Sequence, residues 1–104
     1  RMPRHGRSER LEPTAPPLGL VEGVPITRRM VPWEFSGDQL VLFTDGLIDQ
    51  VREDGERYGE HRLLDCLEAV RTLSPEEQVA AVRESLAAFN GHALDDTTLL
   101  ILRM

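Results

Sequence analysis

The sequence predicts an α+β domain. Two apolar runs at 39–44 and 97–103 have the composition of buried strands, and two consecutive segments at 60–71 and 75–89 carry helical periodicity. Between and before them the chain is rich in Pro, Gly and charge. The predicted order is strand, strand, helix, helix, strand, the first strand being a less regular stretch at 26–34.

The elements follow in chain order. Residues 1–12, "RMPRHGRSERLE", are polar and basic, and His5-Gly6 marks a turn suited to a hairpin tip. "PTAPPLGLVEGVP" reads as a constrained connector with Leu18 and Leu20 anchored in the core. Its prolines are too poorly spaced for a proline-rich ligand. "ITRRMVPWE" is strand-like, and Pro32 places it at an edge or ends it. "SGD" at 36–38 forms a tight turn into "QLVLFT", whose unbroken apolar character suits a strand buried on both faces. "GLIDQVREDGERYG" then gives a short helical turn and an exposed loop.

In the first long helix Leu63, Leu64, Leu67 and Val70 share a face. The second begins with Ser74 as N-cap, Pro75 at the first helical position and Glu77 completing a capping box. Val79, Val82, Leu86 and Phe89 form its stripe, and Asn90-Gly91 supplies the stop. "TTLLILR" is the last strand, also read as buried.

Composition excludes several classes. A net charge of -6 over 104 residues argues against a sequence-independent grip on nucleic acid. All 12 basic residues are arginine, a bias that points to GC-rich coding. One cysteine, Cys66, rules out an internal disulfide framework or a cysteine zinc cluster and reads as a buried thiol. No run approaches the roughly 18 apolar residues of a membrane span, and no leader pattern opens the chain, so a cytoplasmic location is expected.

The chemistry concentrates at strand ends. Asp45 stands just after one apolar run; Asp95 and Asp96 stand just before the other. A carboxylate at the end of a buried strand is costly unless something compensates it. If the two strands are antiparallel neighbours, Asp45 and Asp95 meet at one edge of the sheet. Carboxylates without His or Cys suit hard cations such as Mg²⁺ or Mn²⁺. The alternative is plain: Asp45-Gly46 is an ordinary turn or cap, and Asp95-Asp96 a turn into a strand. On spacing alone that alternative is the commoner outcome.

The combination "GDQLVLFTDGL" with a terminal "DDTTLLILR", preceded by "LEPTAPPLGLVEG", resembles the C-terminal half of metal-dependent serine/threonine protein phosphatases, the PPM family. The branch it is most similar to is the bacterial SpoIIE-type phosphatases of sigma-factor partner switching. The resemblance spans roughly residues 10 to 103. It implies the C-terminal half of an αββα sandwich, with mostly antiparallel sheets and two consecutive covering helices. It also implies two metal ions, Mn²⁺ or Mg²⁺, in the complete domain, ligated here by Asp45 and Asp95, with Gly46 and Asp96 shaping the site. The implied activity is hydrolysis of a phosphoserine or phosphothreonine protein, by family analogy a phosphorylated anti-sigma-factor antagonist, with a metal-activated water.

The N-terminal half of that domain, with its other ligands, has no counterpart here. Residues 1–104 are therefore expected to form a single partial domain, inactive alone; the alternative is a truncated or degenerate interaction module that binds a regulatory protein. Of the remaining acids, Asp49 is a site-shaping candidate or a solvated acid, and Glu53, Asp54, Glu56 and Glu60 form a solvated patch. The 50–59 loop is the candidate for substrate contact by position. His61 is expected on an exposed helix face, His92 in the loop before Asp95, and Trp33 in packing.

Overall fold

A computed structural model describes residues 1–90 and 96–104. The architecture is α+β. Strand β1 spans Gln39–Phe43, followed by the single turn α1 (Asp45–Ile48), helices α2 (Gly59–Ala69) and α3 (Pro75–Asn90), and strand β2 (Leu99–Arg103). β1 and β2 pair antiparallel, from Gln39 opposite Arg103 to Phe43 opposite Leu99. On the β1 edge away from β2, Met2 and Gln39 exchange backbone hydrogen bonds of 2.8 and 2.9 Å.

The helices cover one face of this ribbon. Leu63 and Leu67 of α2, Val82 and Leu86 of α3, Ile101 of β2, and Met2, Leu47 and Tyr58 form the buried core. Val41, Phe43, Leu99, Val79 and Phe89 flank it, half-buried. The helical stripes point inward because residues three and four apart lie on one side of a helix. The α3 start is the expected capping box: Ser74 N–H donates to Glu77 Oε2 at 2.9 Å, and Glu77 N–H donates to Ser74 Oγ at 3.2 Å. The last strand pairs where expected, and the polar start folds back on itself, Arg1 and Glu9 exchanging backbone hydrogen bonds around Gly6 at φ +88°.

Side chains complete the joints that periodicity leaves open. The Arg71 carbonyl, just past α2, accepts from Gln39 Nε2 of β1 at 2.8 Å, Gln78 Nε2 of α3 at 3.3 Å and Arg103 Nη2 of β2 at 2.7 Å. One carbonyl at a helix end thereby ties both strands to both helices. Buried Asp38 does the same for the first residues. Its carboxylate accepts from the Arg1 guanidinium at 2.7 and 2.8 Å and from the Arg4 and Glu34 amides at 3.1 Å each. The Glu34 amide, then the Arg1 guanidinium, hold the Asp38 carboxyl below its ordinary range against the opposing effect of burial.

Three expectations fail. The 26–34 segment forms no strand: among the described residues no neighbouring edge receives it, and its side chains are exposed apart from the half-buried Val31 and Trp33. Leu18 and Leu20 are not core anchors: they are 84% and 71% exposed, for the Pro- and Gly-rich connector brings no apolar surface over them. Neither strand is buried on both faces. Leu42, Leu100 and Leu102, which alternate with the helix-facing residues, remain 43–48% exposed because no second layer covers that side among the described residues.

Candidate functional site

The strand-to-helix transition at Thr44 builds the candidate site. Thr44 N–H donates to the Thr98 carbonyl at 3.1 Å and so extends the β1–β2 ladder by one step. The return bond goes elsewhere: Thr98 N–H donates to Thr44 Oγ1 at 3.0 Å. The side chain replaces the main-chain carbonyl as acceptor, and the Thr44 carbonyl is free to receive Leu47 N–H at 3.0 Å. α1 thus starts without breaking the pairing, and Asp45 is carried to the exposed end of the sheet.

Gly46 is required by a close approach. A Cβ there would lie 2.5 Å from the Asp96 carbonyl oxygen, inside any permissible contact. The glycine lets the segment leading into β2 press against the turn that carries Asp45. Asp96 is exposed beside it. The structure therefore brings Asp45, Gly46 and Asp96 to one end of the ribbon. Asp95 lies outside the described residues, as does His92.

Asp45 offers only oxygen donors, and no hydrogen bond or ion pair engages its carboxylate among the described residues. This donor chemistry suits a hard cation. It is incomplete as a cage: among the described residues no group of three or more His, Cys, Asp or Glu is gathered to hold an ion. Asp49, one turn on, is held away by Arg57, whose Nη1 donates to Asp49 Oδ1 at 2.8 Å.

A groove of about 280 Å³ runs from Asp45 along β1, bordered by Leu40–Phe43, Leu11, Arg1 and Arg10. Since Gln39 bonds Met2 on this side, Val41 and Phe43 also direct N–H and C=O outward here, and these have no partner among the described residues. Arg10 is a groove residue the sequence did not single out. It is occupied by Glu60 at 2.9 Å and Glu12 at 3.2 Å.

The 50–59 loop is more organised than a solvated acidic stretch. Val51 bridges Arg57, Gly55 turns the tip at φ +84°, and Gln50 Nε2 donates back to the Gly46 carbonyl at 2.7 Å. Asp54 and Glu56 are paired with Arg52, and Glu56 also with Arg62. Both arginines lie over the Phe89 ring, at 5.1 and 5.0 Å from its centroid. Beneath, the fully buried Tyr58 shares a 2.8 Å hydrogen bond with Ser85. Cys66 is half-buried, and burial raises its thiol pKa, in keeping with an unreactive side chain. His61 is exposed near Asp65, and Trp33 is half-buried.

The family model described as Stage II sporulation protein E (SpoIIE) matches residues 1–104. No curated protein and no solved structure matches. No helix among the described residues is long and apolar enough to cross a membrane.

Proposed function

Because the chain belongs to the SpoIIE family, a PPM-type phosphatase family, we propose that it forms part of a metal-dependent phosphoserine/phosphothreonine protein phosphatase domain. The observation that carries this reading is the free Asp45 carboxylate at the sheet end, fixed by the Thr44–Thr98 pair and by the contact of Gly46 with the Asp96 carbonyl. In this reading Asp45 and Asp95 hold Mn²⁺ or Mg²⁺, two ions in the complete domain. When bound, such ions lower the pKa of a coordinated water and neutralise phosphoryl charge. Gly46 sets the spacing between the two carboxylate-bearing segments. The substrate is a phosphorylated protein, an anti-sigma-factor antagonist, met in the cytoplasm.

Two aspartates leave the six-oxygen shell of a hard cation mostly to water. The 104-residue chain by itself is therefore expected to bind Mn²⁺ weakly and to release no phosphate. The assay is the purified chain with a phosphoserine peptide and excess Mn²⁺, beside Asp45→Ala and Asp95→Ala. Weak Mn²⁺ binding reduced by either substitution supports the assignment. Equal binding in all three proteins overturns it. Turnover abolished by Asp45→Ala would show instead that these residues already hold a complete centre.

A second reading, a non-catalytic module that binds a regulatory protein, is favoured by the Val41–Phe43 edge and the leucine face, both left open among the described residues. Calorimetry against the unphosphorylated antagonist discriminates. Tight binding that is indifferent to metal and to Asp45→Ala favours the module.

A further inference from the structure

Three arginines distant in sequence converge at the end of the sheet opposite Asp45. Arg4, Arg71 and Arg103, with Ser36, Gly37 and Thr72, line a cavity of about 190 Å³, and no carboxylate side chain among the described residues lines it. Two of the guanidinium groups are tethered by backbone carbonyls. Arg103 Nη2 donates to the Arg71 and Leu73 carbonyls, at 2.7 and 2.5 Å. Arg71 Nη1 donates to the Pro3 carbonyl at 2.9 Å, and its Nε to the Glu68 carbonyl at 3.2 Å.

The third is positioned by its stem. A Cβ at Gly37 would lie 2.7 Å from Arg4 Cγ, so only glycine lets that stem lie across the turn. No hydrogen bond or ion pair engages the Arg4 guanidinium among the described residues. Glu68 Oε2 is 3.8 Å from Arg71 Nη2, and Glu68 Oε1 is held by the Ser8 amide and hydroxyl at 2.7 Å. Asp38 is taken by Arg1. Among the described residues Arg4 and Arg103 therefore have no ion-pair partner, in a chain whose net charge is -6.

We propose that this cavity binds a phosphate-type oxyanion, either free phosphate or the phosphoryl group of a phosphorylated protein segment. Carbonyl tethers occupy only part of the five-donor fork of Arg71 and Arg103, so the unused N–H groups are pre-aimed. Planar guanidinium groups match tetrahedral oxyanions bidentately, and the Ser36 and Thr72 hydroxyls add donors. With no carboxylate or histidine among the described lining residues to act as a base and activate the Ser36 or Thr72 hydroxyl, the cavity binds without reacting. It is independent of the Asp45 end and of any metal there.

The test is an amide-resolved NMR titration of the chain at constant ionic strength, with inorganic phosphate in one arm and a phosphoserine peptide beside its unphosphorylated form in the other. The expected result is saturable shifts at Arg4, Gly37, Thr72 and Arg103. Arg4→Ala should weaken binding about tenfold, the size of one charge-assisted hydrogen bond, with an unchanged melting temperature. Tighter binding of the phosphopeptide than of phosphate assigns the protein-borne group; the reverse assigns the free ion. Absent or unsaturable shifts, or equal affinity in Arg4→Ala, would overturn the proposal.

Discussion

Asp38 and Gly46 each do a job that a turn dipeptide in isolation does not reveal. Asp38 is buried and accepts from two main-chain amides and a guanidinium. Its pKa is depressed in the folded chain, so its contribution to stability is present above the unfolded value of about 3.9 and is lost as pH falls through the folded value. Glu68, lowered chiefly by the Ser8 hydroxyl, adds in the same direction. Denaturant midpoints measured from pH 6 downward should fall below about pH 4. Asp38→Asn should flatten that fall and cost about 1–3 kcal/mol at neutral pH. At Gly46 the expectation is steric. Gly46→Ala forces the Asp96 carbonyl away and should destabilise by about 1–3 kcal/mol, typical of overpacking. Hydrogen exchange at Thr44 and Thr98 would rise with it. An unchanged Thr98 exchange rate would show that the contact is not tight.

At the scale of elements, α2 and α3 behave as their periodicity requires. Leu86, Val82, Leu63 and Leu67 are buried, while Leu64 and Val70 of the expected α2 stripe, Val70 at the helix C-cap, are only half-buried. Leu86→Ala should cost about 2–5 kcal/mol by urea denaturation, the range for truncating a buried leucine. A value near zero would place the stripe in solvent. The strands behaved differently from their pattern. An unbroken apolar run is silent about which face is covered, because alternation is what reports a half-exposed strand. The 26–34 segment shows the same limit: strand propensity is satisfied only when another edge supplies hydrogen bonds.

The whole molecule is 19 Å through its thinnest dimension, enough for one helical layer on one sheet. Its other sheet face presents Leu42, Leu100 and Leu102, and the β1 edge leaves Val41 and Phe43 unpaired among the described residues. Apolar faces and open strand edges invite association. Sedimentation of the chain from micromolar to millimolar concentration should show self-association. Leu42→Glu with Leu100→Glu should suppress it, since both changes place charge on the exposed face without touching the core. A monomer at all concentrations would show that the face is inert.

The sequence by itself determined the α+β class, the helix boundaries to within about two residues, the capping box at Ser74, and the placement of Asp45 at the end of an apolar strand. These rest on local chemistry: a 3.6-residue period, a side chain reaching its own helix start, and a break in apolar character. Tertiary structure alone decided which sheet face is covered, that Gly46 is demanded by the Asp96 carbonyl, that the Arg71 carbonyl joins four elements, and that Arg4, Arg71 and Arg103 meet. Each of these depends on atoms up to about 100 positions apart brought together by the β1–β2 pairing and the packing of α2 and α3. No local pattern encodes such a meeting, because a residue's intrinsic preferences carry no information about the distant partner that will press against it.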